Sequence, residues 1–218
     1  MKEDVGFIRA RGEEQKEIRR QQIVDAAASL YAEVGYDKVT FSKIGRKVSF
    51  TRLNLYNYYQ CKEDIFLTLL LQDRWNTLED ARKSFSGVVT DRDAFCLAWA
   101  EMLLRHQRMM ALFSIANTVI LKDASSEMHK RFRSEISQIS GELVKLVREL
   151  FPAFSPEQAA LFVDCEMSYA MTLYPASLEY KKRMHIEIFR DVGSGTRDFV
   201  SQFTLFLKVL LKGLEIAD

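Results

Sequence analysis

Apolar residues in the first sixty positions recur at helical spacing, but only in short bursts. From Glu13 to about Val34 the positions Ile23, Ala27, Leu30 and Val34 return at intervals of 4, 3 and 4, which is one face of a helix. Gly35 follows where a left-handed C-terminal cap is wanted and predicts the stop. Thr40 stands as an N-cap before FSKIGRKV, whose inward residues are Phe41, Ile44 and Val48. After an interruption at Ser49 and Phe50, a third segment runs from Arg52 to Tyr58. Two helices too short to persist alone, joined by about four residues and backed by a longer one, predict a helix-turn-helix. The first dozen residues lack clear periodicity and are expected to form a loose tail.

Beyond Gln60 the periods lengthen. Lys62–Glu63–Asp64 opens a long helix that runs through Ile65, Leu69 and Trp75 to about Ser84, its acids favoured by the dipole. Thr90–Asp91 caps the next, with Phe95, Trp99, Met102, His106 and Met109 on one stripe, and Met110 to Leu121 reads as a separate buried helix. Met128, Phe132, Ile136, Ile139, Leu143, Leu146 and Leu150 form an amphipathic stripe that stops before Pro152. Ser155–Pro156–Glu157–Gln158 carries a Ser N-cap, Pro at the first helical position and Gln three residues on.

The last two helices are apolar on more than one face. In the first, Phe162, Cys165, Tyr169 and Leu173 form one row and Ala160, Val163, Met167, Met171 and Tyr174 another. In the second, from about Thr196 to Leu214, Phe199, Phe203, Phe206, Leu210 and Leu214 run beside Val200, Leu205 and Val209. Such helices need cover on more than one side, either from their copies across a two-fold axis as a four-helix bundle or from a monomer core.

Composition agrees with an all-α fold. The chain of 218 residues is 48% hydrophobic and 28% charged, which excludes a disordered chain, and holds only 9 Gly and 3 Pro, too few for a turn-rich sheet protein. Fifteen Phe and 8 Met suggest a soft, aromatic interior. The longest uncharged stretch, Met109 to Leu121, is too short to cross a bilayer, and no secretory signal opens the chain. A cytoplasmic protein without membrane partners is expected. Cys61, Cys96 and Cys165 form no C-x-x-C pair, and His106, His129 and His185 lack metal-ligand spacing, so no disulfide framework, metal or cofactor is expected. Gly193–Ser194–Gly195 is too short for a nucleotide loop, no G-x-S-x-G is present, and no Cys–His or carboxylate pair stands out, so enzyme chemistry is not indicated.

Charge is uneven. Residues 1–62 hold 12 Lys/Arg against 8 Asp/Glu, whereas 63–218 hold 19 against 22. Lys38, Lys43, Arg46, Lys47, Arg52 and Lys62 occupy a stretch with no acid. A basic block on an otherwise neutral chain points to a polyanion meeting one end of the molecule, though a solvated basic face would look similar.

The segment RRQQIVDAAASLYAEVGYDKVTFSKIGRKVSFTRLNLYNYYQCKEDIF, Arg20 to Phe66, resembles the N-terminal DNA-binding domain of the TetR family of bacterial transcriptional regulators. Ile23, Ala26, Ala27 and Gly35–Tyr36 match the family's first helix and its exit; Thr40, Ile44 and Arg46–Lys47 match the second. Leu55 to Tyr59 followed by Lys62–Glu63–Asp64 corresponds to its L-Y-x-[HY]-[FY]-x-[SN]-K-[ED] pattern. The chain departs in three places: Val48–Ser49–Phe50–Thr51 replaces the usual Ala-Gly-Val-Ser turn, Leu53 stands where a small residue is common, and Cys61 replaces a Ser or Asn cap. Loss of the turn glycine matters because other residues resist a positive φ.

The resemblance implies a helix-turn-helix domain over 1–62, with its core at about 39–58, and a helical effector-binding and dimerisation domain over 63–218. Thr51, Arg52 and Asn54 lie in the leading turn of the recognition helix. Arg52 can pair bidentately with guanine or clamp a phosphate, and Asn54 can pair with adenine. Tyr56 and Tyr58 reach phosphates or a thymine methyl, Lys62 meets an anion at the mouth of the long helix, and Thr40 and Lys43 touch the backbone. Leu55 and Tyr59 brace the helix. The implied partners are an inverted-repeat DNA operator, a second copy of the chain and a small, largely apolar effector. Pocket candidates are Trp99, Met102, His106, Met109, Phe113, Asn117, Tyr169 and Met171, a set that also reads as ordinary core. Dimer candidates are Phe162, Val163, Met167, Phe199, Phe203, Phe206 and Leu210. Repression is the family default. A C-terminal domain that binds a partner protein instead of a small molecule, or a helical enzyme, remains open.

Overall fold

The computed structural model describes residues 3–183 and 198–216, with side chains described for 12–51, 53–178 and 198–216; among these, all regular structure is helical. His185, the Gly193–Gly195 segment and Thr196 lie outside the described residues. The helices are α1 (Glu3–Val34), α2 (Phe41–Lys47), α3 (Arg52–Tyr56), α4 (Lys62–Ser84), α5 (Arg92–Arg105), α6 (Gln107–Ile115), α7 (Leu121–Asp123), α8 (Ser126–Leu150), α9 (Pro156–Arg183) and α10 (Phe199–Ile216). A 3₁₀ turn at Tyr36–Lys38 joins α1 to α2, and a π-helical turn at Ala116–Ile120 joins α6 to α7.

Several boundaries follow from the caps. Thr40 Oγ1 accepts from the Lys43 N–H at 3.2 Å, Asp91 Oδ1 from Ala94 at 2.9 Å, and Asp198 Oδ1 from Ser201 at 3.0 Å. Ser155 and Gln158 close a reciprocal capping box: Ser155 Oγ accepts from the Gln158 N–H at 3.2 Å, and Gln158 Oε1 accepts from the Ser155 N–H at 2.7 Å. Gly35 ends α1, but at φ 75°, ψ 167°, an extended left-hand conformation open essentially to glycine alone.

Two expectations are corrected. The first residues are not a loose tail: α1 begins at Glu3. The run is rich in Glu, Arg, Lys and Gln, all strong helix formers, and from Gly12 onward pairs one turn apart, such as Lys16 with Glu13 at 2.8 Å and Gln21 with Asp25 at 2.8 Å, support it. The stripe from Phe95 to Met109 does not continue on one helix either. His106 takes φ −103°, ψ 44°, ends α5 and precedes α6, because its ring and Arg105 both turn to Asp80.

The chain forms two compact units. The first comprises the chain up to Leu69 together with Thr118–Phe132. Its core is Ile23, Ala27, Val39, Ile44, Leu55, Ile65 and Phe66, all buried, with Tyr36 edge-on to Phe66 at 4.8 Å. Burying each large aliphatic contributes about 1.5–3 kcal/mol, which is what holds helices of seven and five residues in place. Asp64 Oδ1 accepts from the Ser125 N–H at 2.8 Å and so ties the start of α8 into this unit.

The second unit comprises Leu70–Asn117 and the chain from Arg133. α10 packs along α5 and α9, and α6 along α9. Its core is aromatic: Phe95 lies 5.3 Å from Phe85, 5.3 Å from Trp99 and 5.1 Å from Phe151 between ring centres, and Trp99 lies 5.8 Å from Phe162.

Candidate nucleic-acid interface

α3 is short and sharply divided. Leu55 and Tyr59 point into the first unit, whereas Thr51, Leu53, Asn54, Tyr56 and Asn57 are exposed. Thr51 takes an extended conformation and its Oγ1 accepts from the Asn54 N–H at 3.2 Å, so the helix start is fixed where base-edge contacts would be made. The turn before it keeps its tight geometry without glycine. Ser49 adopts φ 58°, and the Phe50 N–H donates to the Gly45 carbonyl at 2.8 Å. Left-handed backbone at a non-glycine costs about 1 kcal/mol, here held by Ile44 and Leu55 packing on either side.

Gly45 is the residue that sequence reasoning missed. A Cβ there would sit 3.0 Å from Leu55 Cδ1 and 3.0 Å from the Phe50 carbonyl oxygen, so α2 and the segment before and within α3 approach closely at this glycine. The only available signal was a glycine inside a helical pattern.

The polar side chains of this face are placed as follows. Thr40 and Thr51 are exposed, each serving as a cap acceptor while its hydroxyl hydrogen stays available. Tyr56 is exposed with its ring 5.0 Å from Phe41, and Tyr58 is half-buried with its ring stacked 6.1 Å from Phe50. Two expected phosphate contacts have partners within the chain. Lys43 Nζ donates to the Lys38 carbonyl at 2.8 Å. Lys62 Nζ lies 4.1 Å from the Tyr36 ring centre and 3.7 Å from Glu63. Lys47 pairs with Glu33 at 2.5 Å, and Arg46 is exposed. The side chain of Arg52 lies outside the described residues. Cys61 Sγ lies 3.4 Å from the Asp123 carbonyl, and burial pushes its thiol up to about 11, which favours the protonated thiol at neutral pH.

In the second unit Trp99, Met102 and Met109 are buried, Phe113, Tyr169 and Met171 are half-buried, and Asn117 is exposed on the π-helical turn. His106 Nε2 lies 2.9 Å from Asp80 Oδ2, and Arg105 grips the same carboxylate at 3.1 Å, so the ring has a partner without any ligand. These contacts hold the Asp80 carboxyl below its ordinary range, the Arg105 hydrogen bond first. Two cavities adjoin the aromatic cluster. One of about 280 Å³ is lined mainly by Val88, Val89, Leu150, Phe151 and Phe154, with Arg92 and Glu215 paired beside it. The other, of about 380 Å³, shares Val88, Val89 and Leu150 and reaches Phe95 and Ala98. None of the expected pocket residues lines either.

A buried ionic group lies deeper. Arg74 and Glu166 are 3% and 1% exposed, 3.7 Å apart. The Trp99 indole lies beside the same carboxylate, yet its N–H and Glu166 Oε2 both stop short of a hydrogen bond. Burial outweighs Arg74 and pushes Glu166 up to about 7.

Of the dimer candidates, Phe162, Val163, Met167, Phe199 and Phe203 are buried within the single chain, because α10 packs against α5 and α9. Phe206 and Leu210 are half-buried, Phe206 stacked 4.1 Å from Tyr169. The second apolar row is the one that faces outward: Leu205, Val209 and Ile216 on α10 are exposed, as is Leu161 on α9. Among the described residues no cluster of His, Cys, Asp and Glu could hold a metal ion, and no helix is long and apolar enough to cross a membrane.

A capped, outward-facing short helix behind a tight turn, on a basic unit attached to a larger helical one, defines a helix-turn-helix regulator with a separate C-terminal domain. Residues 23–69 match the model for bacterial regulatory proteins of the tetR family, and residues 71–218 match the tetracyclin repressor-like C-terminal domain. The chain belongs to the TetR family. Residues of the chain are 31% identical over 74 positions to the HTH-type transcriptional repressor Rv1474c of Mycobacterium tuberculosis, covering 34% of this chain and 40% of that one. They are 24% identical over 120 positions to the fatty acid metabolism regulator protein of Bacillus subtilis, covering 54% and 60%. The chain thus spans about half the length of these two relatives. The crystal structure of the transcriptional regulator FadR from Bacillus subtilis in complex with stearoyl-CoA shares the fold, with a TM-score of 0.54 at 16% identity, covering 88% of this chain and 98% of that one.

Proposed function

We propose that the protein is a dimeric transcriptional repressor that leaves a palindromic operator when a small, largely apolar effector binds its C-terminal domain. The observation that carries the reading is the outward face of α3. Thr51 and Asn54 are fixed at its start by a cap and exposed, in a stretch holding six basic residues and no acid. In this reading Thr51, Arg52 and Asn54 meet base edges while Thr40, Tyr56 and Tyr58 hold phosphates. Lys43 and Lys62 join them by leaving the Lys38 carbonyl and the Tyr36 ring.

Pairing of two chains is supported by the outward apolar row of α10, which gives a second copy something to cover. An apolar effector is supported by the cavities beside the Phe95–Trp99 cluster and by the stearoyl-CoA held by the Bacillus subtilis relative. α4 begins at Lys62, inside the first unit, and ends at Ser84, inside the second. One unbroken helix can therefore carry a preference for one spacing of the recognition helices over another. The test is selection of bound duplexes from a random pool, with the mass of the complex measured in solution. The reading requires an inverted repeat with two chains per site and steep weakening with salt. A lone subunit with no preferred duplex overturns it.

A further inference from the structure

Leu53 is 80% exposed, the most exposed large apolar side chain among the described residues. It sits two residues before the fully buried Leu55, which places it about 160° around the helix from the side that packs on the core. Nothing in the fold needs it there. Thr51 and Asn54, both exposed, flank it, and Tyr56, one turn on along the same side, rests its ring 5.0 Å from Phe41. Phe41, Tyr56 and Leu53 therefore interrupt the basic, polar surface of the helix-turn-helix with apolar groups at its most outward point.

We propose that Leu53 reads the C5-methyl of one thymine in each operator half-site. A leucine can satisfy neither donor nor acceptor. Pressed on a guanine, cytosine or adenine edge in the major groove, it would strip water from polar atoms and return no hydrogen bond. Thymine alone presents an apolar group there. The side chain that no packing explains thus selects the one base edge it can contact without loss, and two-fold pairing repeats the selection at symmetric positions. The inference rests on α3 being the DNA-reading helix.

The experiment uses the full-length protein and the duplex selected from a random pool. Each thymine is replaced in turn by deoxyuridine, which removes only the methyl, and affinity is measured for the wild type and for Leu53→Ala. Alanine is the stronger helix former at this exposed position, and a melt confirms that the variant folds. One thymine per half-site is expected to lose about fourfold in wild-type affinity when demethylated, the worth of one methyl-sized group, and to show no loss in Leu53→Ala. An equal demethylation effect in both proteins at every thymine, or an equal loss by Leu53→Ala on operator and random duplex, overturns the role of Leu53 alone. A pool that yields no preferred duplex overturns the DNA-reading helix, and this inference with it.

Discussion

The two units place their chemistry on opposite sides of their helices. In the first, the helices are minimal and the groups that matter face out: α3 spends Leu55 and Tyr59 on the core and leaves Thr51, Leu53, Asn54 and Tyr56 to solvent. In the second, helices of up to 28 residues enclose their most distinctive groups, Trp99 and the Arg74–Glu166 pair, behind an aromatic shell. An outward-reading surface demands fixed backbone, which caps and a tight turn supply. A binding interior demands only a volume and a few polar handles, and many apolar arrangements supply that equally well.

If the second unit depends on its aromatic interior, Trp99→Ala should be the most damaging single change. A loss of about 3–5 kcal/mol is expected in denaturant melts, since the indole contacts Phe85, Phe95 and Phe162. The same unit should respond to pH through Glu166. Its folded carboxyl titrates near 7, above the ordinary value of 4.5, so the folded state holds the extra proton between those limits. Stability from this group is full below the unfolded value and is lost as pH rises through 7. Thermal melts should therefore drop as pH rises from about 4.5 to 7 and level off above that, and Glu166→Gln should flatten that slope.

In the first unit Gly45→Ala forces a methyl against Leu55 and the Phe50 carbonyl and should cost about 1–3 kcal/mol, with loss of operator binding at temperatures where the rest of the chain stays folded. Ser49→Gly runs the other way. Relieving φ 58° should raise stability by about 0.5–1 kcal/mol and leave DNA affinity intact. A neutral or destabilising result would mean that the backbone at Ser49 is not strained.

The same contrast explains what the chain disclosed before folding. Local signals were readable: Thr40, Asp91 and the Ser155–Gln158 box cap the helices they precede, and Leu55 is buried where the LYNYY string requires. Features that depend on partners far along the chain were not. The break at His106 answers to Asp80, 26 residues earlier, and Ser125 is tied into the first unit by the Asp64 carboxylate, 61 residues away. The two rows of α10 look alike in sequence; which one faces out is decided by α5 and α9. Asn117, polar within an apolar run, is exposed on a π-helical turn that no periodicity announces.

The outward face of α3 is tested most directly by a single pair of affinities, those of Asn54→Ala for the selected operator and for random duplex. A base-reading Asn54 predicts a loss of about tenfold or more on the operator with random-duplex binding nearly unchanged. Equal losses on both would make it a backbone contact and contradict the assignment of α3 as the helix that reads sequence.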